Sequence, residues 1–318
     1  MACLPELSEI REAQQLLARY FPPTPLAKAP SLAGQNSEVY LKIETALPTG
    51  SFKPRGAMYA LAKTLQRQKI TEVIASSTGN HGAATAFAAR TLGVPATIFL
   101  PEGPNPVKRK RIEDLGAKIV CQGSVDLAAA SQAAKEYSQR PGVYFLNDAT
   151  DPDHPAGPAT IAVEILEQLP DLDAVYVPMG DTALIRSVGA AIKQLGSKAK
   201  VIGVQAERAP SYVLSWRAGK PIPTDTCDTC ADGLATRLPE AANVAAIREV
   251  VDDVVLVSEE QMLDAIRHLF VREHVLAEAA GAAATAAFLA NPRLGKVALV
   301  VTGANISDEL RQRAGIAH

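Results

Sequence analysis

The chain has 318 residues, 47% hydrophobic and 21% charged, with a formal net charge of −2. This length suits one large domain or two ordinary ones, and the balance is that of a globular protein. Near-neutral charge argues against a nucleic-acid binder and a polybasic membrane anchor. No apolar run reaches the roughly 18–20 residues of a spanning helix.

The first residues, MACLPELSEIREAQQ, carry Glu6, Glu9 and Glu12 where a secretory leader would be basic and then apolar, so a cytoplasmic protein is expected. From about residue 70 the pattern is strand, turn, helix, repeated. Residues 73–77 read as a buried strand and 80–92 as an Ala-rich helix closed by Gly93. Next come a strand at 96–100, a basic helix at 106–115 stopped by Gly116, and a strand at 118–121. A helix at 125–140 and a strand at 143–146 complete this set. The pattern restarts with a helix at 158–169, a strand at 173–178, a helix at 184–195 and a strand at 200–205. After an irregular polar region, 219–245, there follow a strand at 250–257, helices at 259–273 and 278–289, and a strand at 297–302.

Single apolar strands spaced by helices of roughly 10–15 residues indicate βαβ units with right-handed crossovers. The expected fold is α/β, with two domains, each an open, mainly parallel twisted sheet flanked by helices. Residues 70–147 form the smaller domain; 1–69 and 148–318 form the larger.

Four cysteines are too few for a disulfide scaffold. Cys3 and Cys121 stand alone. Cys227 and Cys230 form a C-x-x-C in a polar stretch, without the second pair of a zinc finger or the strand-to-helix turn of a redox motif. Reduced surface thiols are expected. His268 and His274 lack metal-ligand spacing and read as surface or packing residues.

In open α/β sheets ligands bind at the carboxyl ends of strands, where loops meet helix N-termini. Three loops have that position: SSTGNHG (76–82), MGDTALI (179–185) and TGANIS (302–307). Free N–H groups and a positive dipole end suit a phosphate or carboxylate there. The chain lacks G-x-G-x-x-G after a strand, G-x-x-x-x-G-K-[ST], H-E-x-x-H and G-x-S-x-G. One further stretch, LPTGSFKPRGA (47–57), sets Lys53 between an aromatic and a proline. A lysine that condenses with a carbonyl needs a lowered pKa, from burial or a cationic neighbour, and Arg55 is two residues away.

Together these segments resemble the pyridoxal-phosphate enzymes of the tryptophan synthase β-like superfamily (fold type II). Within it the chain is most similar to the threonine/serine dehydratase and serine racemase group. PTPLAKAPSL and VYLKIETALPTGSFKPRGA look like its N-terminal signature, and SSTGNHGAATAFAARTLGVPATIFLP like its Ser-x-Gly-Asn-His loop and helix. AGPATIAVEI, VPMGDTALI, ADGLAT, EAAGAAA and VTGANIS follow in the family's order. The resemblance spans essentially the whole chain.

The resemblance implies that Lys53 holds the cofactor covalently and moves the Cα proton, and that Phe52 lies against the cofactor ring. Asn80 would bond its 3′-oxygen, and Glu278 matches a glutamate near it. Gly180, Asp181, Thr182, Ala183 and Leu184 would hold its phosphate. Thr302 would face the pyridine nitrogen. Ser77, Thr78, Asn80 and His81 would grip the substrate carboxylate, with Thr78 also a second acid/base. The larger domain would then bind the cofactor and the smaller the substrate.

A hydroxyl at Thr302 leaves the ring a poorer electron sink than a carboxylate would, which suits elimination over transamination. Where the family has a run of glycines, an acidic Asp181 pointing inward would repel a phosphate. Asp181 is therefore expected to face away and Thr182 to donate its hydroxyl. Asp232 in ADGLAT matches a ligand of Mg2+ or another divalent cation in some members. The family's glutamate a few residues earlier is missing, and Asp225 or Asp228 could replace it.

The expected activity is a lyase removing water from a β-hydroxy-α-amino acid of the L-threonine/L-serine type, or a bulkier one, to give a 2-oxo acid and ammonia. The alternatives are a serine or aspartate racemase using Lys53 and Thr78, and a threonine synthase-like β-replacement or elimination enzyme. The chain ends soon after TGANIS, without the regulatory domain of biosynthetic threonine dehydratases, so a catabolic or specialised enzyme is favoured. The expected partner is a small amino-acid substrate, with no nucleic acid or membrane, and family likeness suggests a homodimer.

Overall fold

The computed structural model describes residues 4–77, 79–104, 106–122 and 127–316. Within these residues the strands are β1 (Leu26–Lys28), β2 (Ser37–Ile43), β3 (Glu72–Ser76), β4 (Ala96–Pro101) and β5 (Lys118–Gln122), followed by β6 (Val143–Phe145), β7 (Ala174–Pro178), β8 (Lys200–Ala206), β9 (Asp253–Val257) and β10 (Gly295–Val301). They form a six-stranded sheet, β1-β2-β10-β7-β8-β9, and a four-stranded sheet, β5-β4-β3-β6. Every pairing is parallel except β1 with β2.

The larger sheet is buried on both faces, as parallel sheets are. In β10, Val297, Leu299 and Val301 enter one core with the helices Glu259–Glu273 and Ala279–Ala290. Ala298 and Val300 enter the opposite core with Ala156–Gln168 and Ala183–Gln194. That alternation is the period of two of a strand. In the smaller sheet, Val73 packs with Ala84 and Ala88 of the helix Asn80–Leu92, while Ile74 packs with Ala130 and Ala134 of the helix Leu127–Tyr137.

The expected 250–257 strand is shorter at its start. Asn243, Val244, Ala246, Ile247 and Val250 are buried at helical spacing, and Ala241–Val250 is a helix that begins inside the region read as irregular and reaches the first residue of the expected strand. The helices Leu7–Leu17, Pro54–Arg67 and Ser211–Ala218 were also not anticipated. Residues 125 and 126 of the expected 125–140 helix lie outside the described residues. The helix Pro54–Arg67 crosses Ala156–Gln168 closely, and a Cβ on Gly157 would sit 2.3 Å from the Arg55 carbonyl oxygen.

Strand order places the site. In the smaller sheet the chain runs β3, β4, β5 in one direction and then returns to set β6 on the other side of β3. In the larger sheet it runs β7, β8, β9 and returns to set β10 on the other side of β7. At such reversals neighbouring loops diverge and leave a crevice. The crevices lie after β3 and β6, and after β7 and β10.

Candidate active site

A cleft enclosing about 870 Å³, including its mouth, is lined by residues from all four of those loops and by Phe52 and Lys53. Lys53 immediately precedes the helix Pro54–Arg67. The Phe52 N–H donates to the Thr302 carbonyl at 3.0 Å, tying this segment to the loop after β10.

Lys53 Nζ donates to Asp148 Oδ2 at 2.6 Å and to Asp181 Oδ2 at 3.3 Å, and lies 5.1 Å from the centre of the Phe52 ring. Burial opposes its charge, but the two carboxylates outweigh burial and raise Lys53 above the usual lysine range. The lowering that condensation with a carbonyl needs is thus not supplied by these neighbours. Arg55 turns away from the cleft into a buried network with Glu44 and Glu164.

Asn80 opens the helix Asn80–Leu92. Its amide donates to Glu278 Oε1 at 2.5 Å, and its carbonyl oxygen accepts from Asn305 at 2.7 Å. His81 Nε2 lies 2.9 Å from the Leu146 carbonyl, which can only accept, so Nε2 carries a proton. His81 Nδ1 is 3.4 Å from Asp148 Oδ2. Ser77 lines the cleft and its hydroxyl accepts from the Gly79 N–H at 2.9 Å. Thr302 lines it too. Thr78 lies outside the described residues.

Gly180, Asp181, Thr182, Ala183 and Leu184 form the turn from β7 into the helix Ala183–Gln194. A Cβ on Gly180 would lie 2.2 Å from the Gly233 carbonyl oxygen, so glycine lets this turn pack on the ADGLAT loop. Thr182 holds φ at 72°, a left-handed conformation uncommon for a β-branched residue. Its buried hydroxyl has no hydrogen-bond partner among the described residues. Asp181 does not face away as expected. One oxygen accepts from the Ala183 N–H at 2.8 Å, and the other reaches Lys53. The ammonium draws it inward.

Asp232 does not join a set of oxygen ligands. It accepts from Lys108 Nζ at 2.6 Å, and the same ammonium is 3.1 Å from Glu278 Oε2. Asp228 pairs with Arg208. Among the described residues, no group of three or more His, Cys, Asp or Glu side chains could hold a metal ion. Burial pushes Glu278 up against the opposing pull of Lys108.

The C-x-x-C cysteines are half-buried against the larger core rather than on the surface. Burial and the Glu259 carboxylate push the Cys230 thiol up to about 12, opposite to a reactive thiol. His268 shares Ser31 with Glu273, a packing contact.

Asp148 and Lys108 stand outside the three candidate loops, and Asn305 lies inside TGANIS without a signal of its own. Asp148 follows β6, at the carboxyl end of an expected strand, and that position was its one signal. Lys108 was hidden in a run of basic residues.

The sequence profile of the family described as "Pyridoxal-phosphate dependent enzyme" matches residues 17–303. The chain belongs to this family. It is 37% identical to the L-threonine ammonia-lyase of Thermotoga maritima over 310 residues, which cover 96% of this chain and 77% of that one. The solved structure of maize serine racemase superposes with a TM-score of 0.91 at 26% identity, covering 98% and 97% of the two chains. The T.th. threonine deaminase superposes at 0.87 with 33% identity, covering 95% and 98%. The chain is thus a pyridoxal-phosphate-dependent enzyme of fold type II. No helix of the described residues is long and apolar enough to cross a membrane.

The described residues fit the cofactor. The unpartnered Thr182 hydroxyl lies at a helix N-terminus, the kind of place that takes a phosphate. The neighbouring residues Gly180, Asp181 and Leu184 of that turn line the cleft together with Lys53, a primary amine, and Thr302.

Proposed function

We propose that this enzyme is a lyase that removes water from a β-hydroxy-α-amino acid of the L-threonine/L-serine type, giving a 2-oxo acid and ammonia. The observation that carries this reading is that Lys53, a primary amine, and Thr302, a hydroxyl, line one cleft. The threonine ammonia-lyase and threonine deaminase relatives support it.

Lys53, Phe52, Asn80, Glu278 and Thr302, with the turn from Gly180 to Leu184, would hold the cofactor; Ser77, Thr78, Asn80 and His81 would hold the substrate carboxylate. When bound, the cofactor supplies the electron sink for the charge left at Cα. Lys53 Nζ takes the Cα proton. The electron pair left behind forms the Cα–Cβ double bond, and the Cβ–O bond breaks. The leaving oxygen takes up the proton that Lys53 removed from Cα and departs as water. The released enamine tautomerises, and a water hydrolyses it to the 2-oxo acid and ammonia.

The deciding assay measures ammonia and 2-oxo acid from a panel of L- and D-β-hydroxy amino acids, with Lys53→Ala as control. Release from an L-substrate that is lost in the control supports the lyase. No release from any member overturns it. The superposition on maize serine racemase favours the second reading, a racemase. Chiral analysis of serine and aspartate from the same incubations separates the two.

In this reading residues 70–147 grip the substrate and the rest of the chain holds the cofactor. We also place the enzyme in the cytoplasm as a homodimer, the latter to be checked by light scattering.

A further inference from the structure

Asp148 lies in the turn that follows β6 of the smaller sheet, and Lys53 in the segment tied to the loop after β10 of the larger. Their side chains are each 15% exposed and meet at 2.6 Å. The charged and titratable groups around them come from several elements. Asp181, from the turn after β7, is the second carboxylate on Lys53, but it is longer at 3.3 Å and shared with the Ala183 N–H. His81 approaches the same Asp148 oxygen at 3.4 Å. Behind it, the His154 ring is 6.0 Å from that of His81, and burial pushes it down to about 3, so it is neutral. Arg186 turns to the Ala149 carbonyl at 3.0 Å. Lys53 therefore makes the closest charged contact with Asp148.

We propose that Asp148 is the positioning residue of Lys53, holding it as an ammonium before cofactor loading and stabilising that ammonium whenever Lys53 takes a proton from substrate. The proposal rests on Lys53 being the lysine that binds the cofactor. It has two opposed consequences. To attack an aldehyde, Lys53 must first release a proton to solvent; its lone pair then forms the C–N bond and the carbonyl oxygen leaves as water. Asp148 slows that loading at neutral pH. In turnover, by contrast, the same carboxylate makes Lys53 a stronger base toward the Cα proton. A residue that only supported the fold would move both rates in one direction.

The test uses the full chain, stripped of cofactor with hydroxylamine and reloaded with pyridoxal phosphate across a pH series. Loading is followed by the visible absorbance of the lysine-bound cofactor. Asp148→Asn is expected to shift the loading profile about one pH unit lower, making loading at neutral pH about tenfold faster, while kcat falls by a similar factor. Asp148→Glu, which keeps the charge, is expected to retain the wild-type profile. Should the Asn variant fail to fold, Asp148→Ser removes the charge at smaller bulk, with the same expectation. An unchanged loading profile in the neutral variant, a slowing of both rates, or a Glu variant behaving like Asn would overturn the proposal. Borohydride reduction with peptide mapping tests the underlying reading separately: cofactor fixed to a residue other than Lys53 overturns that reading, whatever the Asp148 variants do.

Discussion

Lys53 and Arg55 stand two residues apart at the start of one helix, and each cation faces two carboxylates. Around Arg55 the network is closed. Its guanidinium donates to Glu44, Glu164, Thr24 and Thr160, and Lys42 donates to Glu164. Two cations balance two carboxylates, and Arg55 is 2% exposed. In the cleft, Lys53 and Lys108 face four acidic groups, Asp148, Asp181, Asp232 and Glu278. A buried, balanced network with its hydrogen bonds made fixes one geometry. An acid-rich network open to a cleft leaves its cations able to change partners. The same local arrangement is structural in one place and, in the proposed reading, reactive in the other.

The sharpest way to break this comparison is to remove each cation in turn. Lys53→Ala is expected to keep its circular dichroism and lose turnover by roughly a thousandfold or more, since general-base catalysis alone contributes about 10²–10⁴. Arg55→Met is expected to act on the fold, costing about 3–5 kcal/mol in denaturant melts because Glu44 is left buried without a cation and Glu164 keeps only Lys42. Comparable losses of stability in both variants would erase the distinction.

His154 tests burial without pairing. Its ring is buried, neither nitrogen has a hydrogen-bond partner among the described residues, and burial lowers its pKa from 6.5 to about 3. Above 6.5 the imidazole is neutral in both the folded and unfolded states, so it adds no pH dependence. Below 6.5 the unfolded chain takes up a proton that the folded chain refuses until about 3, so stability falls with pH. Between 6.5 and about pH 5 the loss from this group is roughly 1.5 kcal/mol. His154→Leu is expected to remove that part of the slope; an unchanged profile would place the acid sensitivity elsewhere.

Smaller effects sharpen the account of the cleft. Thr302→Asp is expected to lower elimination about tenfold, roughly 1.4 kcal/mol, and to raise side reactions by strengthening the electron sink. Full elimination activity would refute the role given to its hydroxyl. Chelators are expected to change activity less than about twofold, because Lys108 already pairs with Asp232. A large loss restored by Mg2+ would mean that a cation competes with this lysine.

The alternation of single apolar strands with helices was legible in the sequence, because burial on both faces of a parallel sheet leaves continuous apolar runs. So were the three strand-to-helix loops and Lys53, since the chemistry of turns and helix starts is local. The helix Ala241–Val250 was lost among polar neighbours, because its buried face is visible only once β9 and its partners are in place. Strand order was beyond local pattern: β10 lies between β2 and β7 through long-range pairing that no window of residues encodes. That order decided where the loops diverge, and so brought Asp148 onto Lys53, drew Asp181 inward and set Lys108 on Asp232. Residue type and spacing determined what chemistry the chain carries; the packing of distant loops decided which charges meet, because ion pairing depends on distance in space and not along the chain.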